Sequence, residues 1–180
     1  NPRRHGIVAI KLEQGDELIN VELTDGNQQI ILATKNGLAV RFEERNVRPT
    51  GRSAQGVRGI SLKDNDEVIG MVAESDEKTL FTVTENGYGK RTPISEYRLI
   101  TRGGSGVINI QCSNRNGKVV SICSVKENDD IMLISKKGII IRVPVADISL
   151  IGRNTQGVRI MKLEENDKIV GAVKVKKENN

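Results

Sequence analysis

The 180-residue sequence is poor in aromatics, histidine and cysteine, and it contains no long apolar run. Phe42, Phe81, Tyr88 and Tyr97 are its only aromatic residues. Proteins that hold single-stranded nucleic acid stack bases on a series of aromatic side chains, so that mode of binding is disfavoured. The one histidine, His5, stands beside Arg3 and Arg4 and reads as an exposed side chain. A triad built on a histidine base has no other candidate. Cys112 and Cys123 are too few for a disulfide framework or a zinc cluster. Both lie in β-type apolar segments and read as small buried hydrophobes. No stretch approaches the roughly eighteen apolar residues that a membrane helix needs, so no membrane partner is expected. The chain opens on Asn1-Pro2-Arg3-Arg4 and moves straight into a β pattern, which is not the pattern of a signal peptide.

What is present is Ile, Val and Leu in short alternating runs, and a repeat. Gly6, Gly56, Gly106 and Gly157 open related segments, with spacings of 50, 50 and 51 residues. The clearest pair is GVRGISLKDNDEVIGMV at Gly56 and GVRIMKLEENDKIVGAV at Gly157. The extra residue of the third unit falls in the turn Ser113–Gly117. Asn36-Gly37, Asn86-Gly87 and Lys137-Gly138 keep the same phase. The units are 6–55, 56–105 and 106–156, with a partial repeat 157–180. Each unit reads as four short strands; in the first these are Gly6–Leu12, Leu18–Leu23, Gln28–Thr34 and Leu38–Glu43. Asp25-Gly26 and Asn36-Gly37 are hairpin signals, read as type I′ turns with positive φ at both central positions. Ile139-Ile140-Ile141 reads as a strand buried on both faces. Four strands every fifty residues indicate an all-β, propeller-like array of blades, about three and a half of them.

Two local patterns resemble chemistry that the spacing does not support. Asp64-Asn65-Asp66 and Asn128-Asp129-Asp130 lack the glycine and terminal glutamate of a calcium loop, and they fall at turns where Asp and Asn belong. Thr101-Arg102-Gly103-Gly104-Ser105-Gly106 lacks the Gly-Lys-Ser/Thr ending of a P-loop. It reads either as a tight connection between blades or as a backbone that lets a phosphate approach. No cofactor and no metal are expected.

The arginines recur in register. The first column is Arg41, Arg91 and Arg142; the second, between blades, is Arg52, Arg102 and Arg153; a shorter third is Arg58 and Arg159. One position per repeat maps to one height on an array of blades, so a column becomes a belt of cations. A belt suits a polyanion that follows the curve, and double-stranded DNA is the expected partner because phosphates dominate its affinity. Lys90 and Lys35 are expected helpers, with the backbone of Gly103 and Gly104 giving close approach. The net charge of +5 agrees in sign. The competing reading pairs the first column with carboxylates such as Glu43 or Glu96; a protein-interaction propeller that takes acidic peptides is the competing function.

The strings ATKNGLAVRFEERNVRPTGRSAQGVRGI (33–60), TENGYGKRTPISEYRLITRGGSGVINI (84–110) and ISKKGIIIRVPVADISLIGRNTQGVRI (134–160) resemble the C-terminal domain of gyrase A, from the type IIA topoisomerase DNA gyrase. The resemblance covers essentially the whole chain. It implies a β-pinwheel whose blades exchange strands, and duplex DNA bent around a basic rim to support negative supercoiling. It also implies a cytoplasmic, ATP-dependent holoenzyme made with the remainder of the gyrase A polypeptide and with the gyrase B polypeptide. The catalytic tyrosine and DNA-cleaving core of that enzyme lie upstream of the region matched, so this chain is expected to be non-catalytic. The family's signature box, Gln-Arg-Arg-Gly-Gly-x-Gly, has no copy here; Arg102–Gly106 keeps Arg-Gly-Gly-x-Gly, and the resemblance places the full box before residue 1. The related C-terminal domain of topoisomerase IV, with its degenerate box, is the alternative within the family.

Overall fold

The computed structural model describes residues 6–74 and 78–175; Arg3, Arg4 and His5 lie outside them. Eleven strands are described: β1 Gln29–Thr34, β2 Leu38–Glu43, β3 Val68–Glu74, β4 Thr79–Thr84, β5 Tyr88–Pro93, β6 Val107–Ile108, β7 Val119–Val125, β8 Asp130–Ser135, β9 Ile140–Pro144, β10 Val158–Arg159 and β11 Ile169–Val175. The helical content of the described residues is three single 3-10 turns, Glu44–Asn46, Ile94–Glu96 and Val145–Asp147. The fold is all-β, as expected.

The strands form three antiparallel sheets. Sheet one runs β3-β1-β2-β6, sheet two runs β10-β5-β4-β7, and sheet three runs β11-β8-β9. A sheet therefore does not coincide with a sequence unit. Its central hairpin comes from one unit, one edge strand from the next, and the short outer strand from the unit after that. In sheet one Leu38 faces Ile108 and Ala39 faces Val107, a pairing that joins the first unit to the third. In sheet two Tyr88 faces Arg159 and Gly89 faces Val158. Two expected strands, Gly6–Leu12 and Leu18–Leu23, are not strands, and Ile7, Val8, Leu18, Val21 and Leu23 are exposed. The same phase explains why: the equivalent of Leu18–Leu23 in the second unit is β3, which pairs back onto the hairpin of the unit before it. The first unit has no such hairpin among the described residues.

The hairpin turns also differ from expectation. The amides of Gly37, Gly87 and Gly138 bond to the carbonyls of Thr34, Thr84 and Ser135 at 2.9–3.0 Å. Each glycine has φ between +80° and +88°, while Asn36, Asn86 and Asp25 do not have positive φ. Only one left-handed residue follows each turn, the geometry of the longer hairpin loops rather than of type I′.

Alternation along each hairpin sends successive side chains to opposite faces, and the sheets stack on those faces. Ile31, Ala33 and Val72 of sheet one pack with Leu80, Ile94, Tyr97 and Ile122. Phe81, Val83 and Val125 on the other face of sheet two pack with Ile131, Leu133, Val145 and Ile148. A smaller cluster of Ile30, Val40, Phe42 and Ile60 lies on the far face of sheet one. The run Ile139–Ile141 is not buried on both faces: Ile139 and Ile140 are half exposed, because among the described residues no outer strand covers β9 as β6 and β10 cover β2 and β5.

Candidate nucleic-acid interface

The three arginine columns fare differently. Arg41 and Arg91 are buried. Arg41 donates to the carbonyls of Ile94 and Tyr97 at 3.0 and 2.8 Å and to the Gln29 side chain. Arg91 donates to the Ile148 carbonyl at 2.7 Å and pairs with Glu127. Each guanidinium thus reaches from a hairpin onto the 3-10 turn of the following unit and docks one sheet on the next. Burial lowers the Arg41 pKa, and contact with Arg91 lowers that of Glu127. Arg142 is half exposed and bonds Asp130 of its own sheet at 2.7 Å. Docking on the following unit accounts for Arg41 and Arg91 and not for Arg142; the carboxylates that Arg91 and Arg142 bond are Glu127 and Asp130, and Glu43 acts on Arg41 through its charge.

Lys90 is fully buried as well. Its ammonium donates to the carbonyls of Gly152 and Arg153 at 2.6 and 2.9 Å, and desolvation pushes its pKa down to about 8. It holds the connection that carries Arg153. The equivalent residues of the other hairpins are Val40 and Ile141, so this strut belongs to sheet two alone. Lys35 is paired with Glu67 at 2.6 Å, which raises its pKa.

The second and third columns remain at the surface. Arg52, Arg58 and Arg159 are exposed, and Arg102 and Arg153 are half-buried. Arg102 donates from Nε to the Asn46 carbonyl and from Nη1 to the Arg58 carbonyl at 2.9 and 3.0 Å, so the two columns meet. Arg153 donates from Nη1 to the Ile108 carbonyl at 2.9 Å and lies 5.9 Å from the Tyr97 ring centroid. Among the described residues none of these five arginines forms an ion pair with a carboxylate. Gly103, at φ +84°, donates to the Gly59 carbonyl, and the Ser61 amide donates to the Gly104 carbonyl at 3.0 Å. Gly106 has φ +77°, and a Cβ there would meet the Ala39 carbonyl oxygen at 2.5 Å. The glycine-rich segment is therefore a tight inter-sheet connection that presents Arg102.

Two basic residues outside any column lie beside column arginines, Lys63 beside Arg153 and Arg115 beside Arg159. Lys63, Arg153 and Asn154 line one open groove with the segment Ser105–Ile108. Arg115 lies 5.0 Å from the Tyr88 ring centroid. Neither recurs in register; the sequence signal for Arg115 was the extra residue in its turn.

A family model described as DNA gyrase C-terminal domain, beta-propeller, matches residues 1–25, 28–73, 78–126 and 129–176. The last three matched segments each span one central hairpin and the edge strand that follows it. The chain is 49% identical over 180 residues to the gyrase A protein of Clostridium acetobutylicum, covering all of this chain and 22% of that protein. It is 50% identical over 171 residues to the gyrase A protein of Haloquadratum walsbyi, covering 94% and 20%. The chain spans about a fifth of the length of the curated relatives it matches. A solved structure of a DNA gyrase A C-terminal domain superposes with a TM-score of 0.87 at 32% identity, covering 95% of this chain and 58% of that one. A C-terminal domain of DNA topoisomerase IV superposes with a TM-score of 0.88 at 29% identity, covering 93% and 53%. The fold thus fits both relatives alike, and the matched segments with the gyrase relatives decide between them: the chain belongs to the DNA gyrase C-terminal domain family.

Proposed function

We propose that the chain binds duplex DNA along the surface formed by Arg52, Arg102 and Arg153 with Arg58 and Arg159, and bends it there. The observation that carries this reading is the second column: one arginine at the same place in three successive inter-sheet connections, each without a carboxylate partner among the described residues. Bending a 20–30 bp segment by 40–90° costs on the order of 1–6 kcal/mol. A regular series of phosphate contacts offsets that better than one patch, and it needs little base readout. Arg41, Arg91 and Lys90 support this surface from beneath by fixing the connections. Arg142 stands beside its own sheet's Asp130 and is left out of the contact set.

Within this reading the chain serves a cytoplasmic type IIA topoisomerase, together with the rest of the gyrase A polypeptide and the gyrase B polypeptide. Wrapped DNA is presented for directional strand passage, and the cutting and ATP chemistry belong to those partners. Among the described residues no helix is long and apolar enough to cross a membrane.

The test is duplex binding as a function of salt, with bending read by fluorescence transfer between labelled ends. If about six phosphates are neutralised, log K falls with log salt at a slope of about −5. Arg52→Ala, Arg102→Ala and Arg153→Ala each lower affinity for all sequences by a similar factor and the slope by about one. Affinity that is flat with salt, or a triple variant that bends DNA as before, overturns the assignment. Tight binding of acidic peptides without bending of duplex favours the interaction-propeller reading.

A further inference from the structure

Sheets one and two share a scaffold, so a place where several residues depart together from the repeat marks a task that only one of them performs. Three such departures converge. In sheet one Leu38 faces Ile108 across the outer strand pair, and Asn36 donates to the carbonyl of Asn65 in the adjoining turn. In sheet two the corresponding pair is Tyr88 and Arg159, and Asn86 donates to the carbonyl of Arg115 at 3.1 Å. Three uncharged side chains in sheet one are replaced by one phenol and two guanidinium groups. The turn that carries Arg115 is also the turn with the one extra residue of the third unit.

The three side chains touch. Arg159 Nη2 donates to the Tyr88 hydroxyl at 2.8 Å. The guanidinium carbons of Arg115 and Arg159 lie 5.0 and 5.3 Å from the same ring centroid. The ring is almost wholly buried and both arginines are exposed. Neither arginine pairs with a carboxylate among the described residues. Two cations held on one aromatic shelf repel each other, and a shared anion relieves that repulsion. Planar guanidinium groups bind phosphate oxygens through paired hydrogen bonds. Hydrogen bonding by Arg115 and then Arg159 lowers the pKa of the phenol. Symmetry places the cluster one sheet further along from Arg153, whose own carbonyl contact is Ile108.

We propose that Arg115, Arg159 and Tyr88 form a clamp on sheet two that holds one backbone phosphate of a bound DNA duplex. The proposal rests on the duplex-binding reading above and adds to it a stronger contact confined to one sheet. A phosphodiester oxygen accepts from both guanidinium groups, and the buried ring keeps the two groups apart at fixed spacing.

The experiment uses the full chain and a short duplex. Tyr88→Leu and Arg159→Ile each import the residue that sheet one carries at the same place, so folding is retained; Arg115→Ala removes an exposed side chain. Each variant is expected to bind about threefold to tenfold more weakly, and the two arginine variants also lower the salt slope by about one. Phenol absorbance gives a second readout. Burial raises the Tyr97 pKa, so Tyr88 titrates first, and saturating duplex shifts its titration upward because the phosphate neutralises the arginines. If the wild-type chain binds no duplex, the parent reading fails and the clamp with it. If the wild type binds and all three variants keep its affinity and slope, or the phenol titration does not move, the clamp alone is overturned. An equal shift with inorganic phosphate at matched ionic strength overturns the backbone-phosphate assignment in favour of a free-anion site.

Discussion

Among the described residues sheet two has a neighbour on each face and sheet three has one. Phe81 and Val83 point from sheet two toward sheet three and are wholly buried; Met132 and Ile134 occupy the same positions one sheet on and are 36% and 39% exposed. A Cβ on Gly87 would meet the Met161 carbonyl oxygen at 2.3 Å, while one on Gly138, with nearly the same φ, would meet nothing within 4 Å. Arg91 is sunk into the next unit, whereas Arg142 stays on its own sheet. The hairpins are alike, so the difference lies in what surrounds them. In this array burial belongs to the interface between sheets, and a residue type acquires its role only when the following sheet is in place.

Paired substitutions sharpen that comparison. The largest effect is expected at the sheet interface: Phe81→Ala should cost about 3–5 kcal/mol in urea unfolding, and Met132→Ala less than about 1 kcal/mol. Equal costs would mean that a partner covers sheet three in solution. Next comes the hairpin glycine. Gly87→Ala should cost about 2–3 kcal/mol, because backbone must move as well as adopt left-handed strain, while Gly138→Ala should cost only the strain, about 1 kcal/mol. Third, Arg91→Ala should cost about 1.5–3 kcal/mol through its lost charged hydrogen bonds and speed amide exchange at Ile148 and Ile151. Changes in exchange caused by Arg142→Ala should stay within sheet three; an effect in sheet two would break the comparison.

The smallest effect concerns pH. The folded-state pKa of Lys90 is about 8, below the ordinary lysine value of 10.5. Between these values the unfolded chain holds a proton that the folded chain has released. Stability therefore rises with pH across that window. Lys90→Met should remove that part of the rise, measured as the wild-type-minus-variant difference in urea midpoint from pH 7.5 to 10.5. A difference that stays constant with pH would show the folded lysine to titrate normally.

The period of the fold was legible in the sequence; the phase was not. Gly56 and Gly157 open nearly identical strings, but a repeat can be cut anywhere in its cycle, and nothing local says that Leu38 pairs with Ile108. For the same reason Gly6–Leu12 and Leu18–Leu23 read as strands from their apolar pattern, although pairing depends on a hairpin elsewhere. The arginine columns carried a similar ambiguity. Recurrence shows that a task repeats, and it does not distinguish gripping a carbonyl of the next turn from facing solvent. Arg102 and Arg153 were separable from Arg41 and Arg91 only by their glycine-flanked, acid-poor context. Lys90 and Arg115 break the repeat, and such breaks are the sequence feature that points to a local role.

The outer strands β6 and β10 have a consequence for how the chain is made. Sheet one begins at Gln29 and is completed only by Val107–Ile108, and sheet two begins with Thr79–Thr84 and waits for Val158–Arg159. During synthesis sheets one and two each stand one strand short from the end of β3 or β7 until the opening segment of the following unit has left the ribosome. Pairing over such separations is slow, because long loops must close before any contact rewards them. Until then the edge of β2, and later that of β5, is open to other chains. Folding should advance from the amino end, always trailing translation by about one unit, and a stall inside that gap should leave the nascent chain dependent on chaperones.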